Sequence, residues 1–111
     1  MHQPPLMIGI TALDALRCFG ETALAAVLAQ APGVLALCCG HVHRLVMGRL
    51  AGVPVITAPS LAPAIALRLA PDAAPASQAE PPGFLLHVWT GGQLVTHLIP
   101  VGAFPGPWDF Y

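Results

Sequence analysis

Along the chain, apolar residues first fall into a helical rhythm. In "GETALAAVLAQAPG", residues 20–33, Leu24, Val27 and Leu28 recur at three- and four-residue spacing, which predicts one helix face. Glu21 suits the positive end of that helix, and Pro32-Gly33 stop it. "VLALC" at 34–38 is a continuous apolar run between turn signals, as in a buried strand, and helix, turn and strand together predict an α/β layer. "RLVMGRL" and "VPVITA" bracket Ala51-Gly52 and predict a hairpin; "AIALRLA" at 64–70 predicts a further strand. Residues 71–82, "PDAAPASQAEPP", carry four prolines among small residues and read as a surface loop. Beyond it, "GFLLHVWT" and "QLVTHLIP" flank Gly91-Gly92 as a second hairpin, with Leu85, His87 and Trp89 on one face and Phe84, Leu86 and Val88 on the other. The aromatic, proline-rich tail "GAFPGPWDFY" is expected to lie against the body. No internal repeat interrupts this order, and residues 1–111 read as a single domain.

Composition changes the picture in one respect. Of the 111 residues, 56% are hydrophobic and 8% charged, against roughly a quarter charged in a typical soluble domain. With no lysine and a net charge of -1, the chain is expected to leave apolar surface that a second copy or a missing part covers. Nothing basic points to a nucleic-acid polymer. The nearly uncharged run 22–39 is broken by "APG", and each half is too short to span a bilayer, so no membrane segment is expected. "MHQPPLMIG" lacks the basic start of a secretion signal, and with three cysteines this points to reduced thiols in the cytoplasm.

The chemistry concentrates in "CCGHVHRL", residues 38–45. His41 and His43 follow the predicted buried strand and a glycine, where α/β sheets place their ligands. Two residues apart in extended chain, both rings can serve one metal or two neighbouring metals; two solvent-facing loop histidines remain the alternative on spacing alone. A zinc site recruiting Cys38 or Cys39 would crowd four ligands into six residues, whereas structural sites bring separated pairs together. Cys38 therefore reads as a buried, reduced side chain, and His87 and His97 read as ordinary strand residues.

"CGHVHR" resembles the G-H-x-H signature of calcineurin-like metallophosphoesterases, in the branch of class III cyclic nucleotide phosphodiesterases and glycerophosphodiesterases. "MHQPPLMIGITALDAL" is similar to that branch's H-x-P segment with its following loop and helix. "GVPVITAPS" is similar to the strand after the signature, and "EPPGFLLHVW" and "GPWDFY" to its last hairpin and tail, so the resemblance runs nearly the whole length. It implies the C-terminal half of an αββα sandwich, here one main helix on a mostly antiparallel sheet. It also implies His2 and His41 as ligands of one metal, His43 as a ligand of a second, and Asp14 near the substrate. The metals would be Mn, Fe or Zn, and the reaction phosphodiester hydrolysis by a metal-bound hydroxide.

Other parts of the family's site are not in these residues. The acids Asp14, Glu21, Asp72, Glu80 and Asp109 form no D-x-H pair, and there is no asparagine. Two cations held close without a bridging carboxylate repel one another, so at most one ion is expected on this chain. Asp14 has a plainer reading as a helix-capping loop residue. After "APS", the sequence "LAPAI" stands where the branch carries a threonine and a histidine-glutamine pair. Two readings follow. One is a metal-dependent phosphodiesterase whose N-terminal half is supplied elsewhere, incomplete by itself and acting on a phosphodiester small molecule. The other is a non-enzymatic remnant that self-associates and holds a single metal through histidines.

Overall fold

A computed structural model describes residues 1–110. It contains two helices, α1 (Thr11–Asp14) and α2 (Glu21–Ala29), and seven short strands. Strands β1 (Leu37–Cys39), β2 (Val46–Leu50) and β3 (Val53–Thr57) form the first sheet in the order β1-β3-β2. In that sheet β1 runs parallel to β3, while β2 and β3 form an antiparallel hairpin. Strands β4 (Ala64–Ile65) and β5 (Ser77–Gln78) make a second, two-residue ladder. The hairpin of β6 (Gly83–Thr90) and β7 (Gln93–Pro100) makes the third. This is the expected α/β architecture with mainly antiparallel pairing, compatible with the C-terminal half of a metallophosphoesterase, although the strands divide among three small sheets. No helix among the described residues is long and apolar enough to cross a membrane.

Both predicted hairpins form, and their turns show why. Ala51 and Gly52 take φ of 50° and 82°, and Gly91 and Gly92 take 56° and 76°. Two successive positive-φ residues give the turn whose twist matches that of paired strands. Gly83 has a different task. A Cβ there would come within 2.9 Å of the Ile99 carbonyl oxygen, so only glycine lets the start of β6 pass that close.

The core gathers under the first sheet and its following turn. Val42, Val55 and Thr57 are almost wholly enclosed, and Ile10, Leu28, Cys39 and Ile56 are buried as well. Thr57 belongs there because its hydroxyl is satisfied: it donates to the Arg44 carbonyl at 2.6 Å and accepts from Val46 N–H at 2.8 Å.

Several expectations need correction. α2 turns Leu24, Ala25 and Leu28 inward while Val27 is exposed, because the helix meets the body along a narrow strip. The run at 34–38 yields a strand only at Leu37–Cys39, where β3 offers partners, and alternation makes Cys38 exposed and Cys39 buried. The expected buried Cys38 is therefore wrong by one position. Of the strand expected at 64–70, only Ala64–Ile65 pairs, since β5 supplies two residues to pair with. The tail does not lie against the body: residues 101–110 are exposed throughout, with Phe104 61%, Trp108 74% and Phe110 96% exposed, and Tyr111 lies outside the described residues.

Candidate metal centre

The turn after β1 places the histidines. Main-chain bonds from Met1 N to the Cys38 carbonyl (3.0 Å) and from Gly40 N–H to the His2 carbonyl (2.8 Å) tie the first two residues alongside β1. The His2 ring packs beside Gly40, where an added Cβ would meet it in ordinary contact at 3.6 Å. Val42 is fully buried and anchors the turn from below. His41 and His43 on either side of it hold φ of 69° and 54°, a left-handed conformation that costs a non-glycine residue about 1 kcal/mol. Such strain survives where the surroundings over-determine it, and it is a mark of functional turns.

The result brings two of the three histidines together. His2 Nε2 and His41 Nδ1 are 3.3 Å apart, with the rings edge to face. That separation is long for a hydrogen bond between ring nitrogens. It matches two imidazoles sharing one divalent ion: bonds of about 2.0–2.1 Å at a tetrahedral angle put the nitrogens about 3.3–3.4 Å apart. The other nitrogen of His41, Nε2, is buried and finds no partner among the described residues. A buried imidazole nitrogen left this way costs about 1–3 kcal/mol. The donor set therefore fits an ion at His2 and His41.

His43 is held separately. Its Nδ1 lies 3.0 Å from the Pro63 carbonyl, so Nδ1–H donates there and Nε2 keeps its lone pair. A backbone acceptor fixing the tautomer is the usual support of a metal-ligating histidine. No cluster of three or more His, Cys, Asp or Glu side chains close enough to hold one metal occurs among the described residues. His43 also lines a cavity of about 300 Å³ with Arg44, Ser60, Glu80 and Gly83. The Arg44 guanidinium pairs there with Glu80 and donates from Nε to the Ile65 carbonyl at 2.9 Å, tying the histidine turn to β4 and to the loop after β5.

Asp14 is engaged elsewhere. Its carboxylate is buried and accepts Ile8 N–H at 2.6 Å and Gly9 N–H at 3.1 Å. Asp14 is the last residue of α1 and braces the loop before that helix, while the helix N-cap, Ile10, has no side-chain cap bond. The expected helix-capping loop aspartate is thus corrected to a helix residue that holds the preceding loop.

No family model matches the chain. Two curated proteins do. A probable glycerophosphodiester phosphodiesterase of Arcobacter nitrofigilis is 42% identical over all of this chain, which spans 41% of that protein. A glycerophosphodiester phosphodiesterase of Enterobacter lignolyticus is 29% identical over 97% of the chain and 38% of its own length. The chain matches the C-terminal portion of a metallophosphoesterase. It spans about two fifths of the length of these relatives.

Proposed function

We propose that this chain carries the histidine share of the metal site of a phosphodiesterase acting on small phosphodiesters. His2 Nε2 and His41 Nδ1 hold one divalent ion, and His43 Nε2 is presented to a second. When bound, the ions supply a nucleophilic hydroxide and neutralise the phosphoryl oxygens. This chain's own residues do the positioning. The Gly40 N–H holds the His2 backbone beside the turn, the Pro63 carbonyl fixes the His43 tautomer, and the cavity beside His43 leaves room for a substrate group. The bridging carboxylate and the D-x-H and asparagine ligands of the family are absent from these 111 residues. The chain alone is therefore inactive and holds at most one ion.

The observation that carries this reading is the 3.3 Å approach of two histidines 39 residues apart in sequence. Calorimetric titration with zinc or manganese tests it. One ion is expected per chain, lost in His2→Ala and in His41→Ala but retained in His43→Ala. Equal losses in all three variants, or none, would refute the assignment. Hydrolysis of bis-para-nitrophenyl phosphate with added manganese is expected to be absent, and turnover abolished by His41→Ala would show the site to be complete. A second reading, a self-associating non-enzymatic domain with one histidine-bound ion, draws on the exposed apolar residues Phe84, Leu86 and Trp89 of β6. Light scattering that finds a single monodisperse monomer would count against it.

A further inference from the structure

A second constellation joins β1 to the C-terminal hairpin. Cys38 is exposed on β1, and its Sγ lies 3.6 Å from His87 Nε2 on β6. The other ring nitrogen, His87 Nδ1, is 2.8 Å from Thr96 Oγ1, the side chain directly across the ladder on β7. Three strands thus align a thiol, an imidazole and a hydroxyl. With Nδ1–H donating to the threonine oxygen, Nε2 presents its lone pair to the thiol. A base facing a nucleophile, itself oriented by a third group, is the arrangement that activates cysteine.

The geometry points to Cys38 as a modification site, a thiol activated by His87 that takes up a low-molecular-weight disulfide. The Cys38 proton passes to His87 Nε2, and the thiolate sulfur attacks one sulfur of the disulfide. The Cys38 Sγ–S bond forms as the incoming S–S bond breaks. The departing thiolate leaves with the electron pair and takes the proton from His87. Cys38 sulfur is oxidised and the departing sulfur reduced, so no other oxidant enters.

The other two cysteines lack these conditions. Cys39 is buried, and burial pushes its thiol up from its ordinary range, which disfavours the thiolate. Cys18 is half-buried, with its sulfur directed at the Phe19 carbonyl at 3.8 Å. A carbonyl can accept the proton's hydrogen bond but cannot remove the proton.

The test is to incubate the reduced chain with excess glutathione disulfide near neutral pH and follow the adduct at each cysteine by peptide mass spectrometry. Cys38 is expected to react at least about tenfold faster than Cys18, with no adduct at Cys39. His87→Gln, which keeps the side chain's bulk, is expected to slow Cys38 to about the Cys18 rate. Thr96→Val, which leaves the imidazole without its guide, is expected to slow it a few-fold. Exposure alone would leave the Cys38 rate unchanged in His87→Gln, and that result would overturn the proposal. Should His87→Gln disturb the hairpin by circular dichroism, Thr96→Val and the parent chain decide. Equal Cys38 and Cys18 rates in the parent chain, or an unaltered rate in Thr96→Val, would overturn it as well.

Discussion

The two larger hairpins of this chain obey the same local rule and meet opposite fates. β2–β3 and β6–β7 both turn through two positive-φ residues and pair without interruption. In the first, Val55, Ile56 and Thr57 are buried where β1 lies along β3, and Val42 in the turn after β1 is buried too. The second pairs eight residues on each strand, yet only Gly83 at its base is buried. Turn chemistry and alternation are enough to make a ladder. Burial needs a third element, and an isolated two-stranded ribbon has little stability of its own. The histidines stand on the buried side of this contrast, where a strained turn can be held.

The sharpest way to break the comparison is to attack the buried hairpin at Thr57. Thr57→Val keeps the shape of the side chain and deletes both bonds of its hydroxyl, leaving Val46 N–H and the Arg44 carbonyl without that partner. With about 1–3 kcal/mol at stake for each buried group, urea unfolding should show a loss of about 2–4 kcal/mol. The Arg44 carbonyl is adjacent to His43, so the variant should also loosen the histidine turn, read as faster amide exchange at residues 42–44. A loss below about 0.5 kcal/mol would mean that this region is no better packed than the surface.

Much of this contrast was open to sequence reasoning, and the failures have identifiable causes. Ala51-Gly52 and Gly91-Gly92 announced both turns because few residues tolerate that backbone, and "APG" ended α2 where expected. For the histidines the structure reports proximity, and their role as metal ligands stands as a proposal. Resemblance put His2 with His41 and His43 apart from them, and the structure brings His2 to His41 while His43 rests on Pro63. What stayed hidden depends on partners distant in sequence. A continuous apolar run cannot say which of two adjacent cysteines faces the core; that follows from the register Cys39↔Thr57. Nor can the composition of β6 show that His87 meets a thiol 49 residues away. The only available signal was the shared face of Leu85, His87 and Trp89. The tail was misjudged because aromatic and proline content marks a surface that wants covering without saying what covers it.

A finer comparison lies in the two turns themselves. Position 51 holds alanine at φ 50°, where the matching position 91 holds glycine at φ 56°. A side chain in the left-handed region costs about 1 kcal/mol, partly offset because glycine also frees the unfolded chain. Ala51→Gly should therefore stabilise the chain by about 0.5 kcal/mol, and Gly91→Ala should destabilise it by a similar amount in urea unfolding. Space is not the issue at position 91, where a Cβ would meet nothing within 4 Å. If the two changes had the same sign, backbone conformation would not be what distinguishes the turns.

The smallest expected effect is the most informative about the exposed hairpin. Trp89 is 60% exposed, and its ladder partner Leu94 is only half-buried. Trp89→Ser removes a large apolar surface that the chain itself does not cover, so unfolding at low protein concentration should change by less than about 0.5 kcal/mol. Replacing the buried Val55 of β3 by serine would remove a core side chain and cost several times more. Repeating the measurement at rising concentration separates two origins for that small number. If the hairpin face is simply solvated, parent and variant stay together at every concentration. If a second copy covers it, the parent gains stability with concentration through mass action and the variant gains less. A loss above about 1 kcal/mol in dilute solution would contradict both outcomes, since it would require this tryptophan to be packed within its own chain.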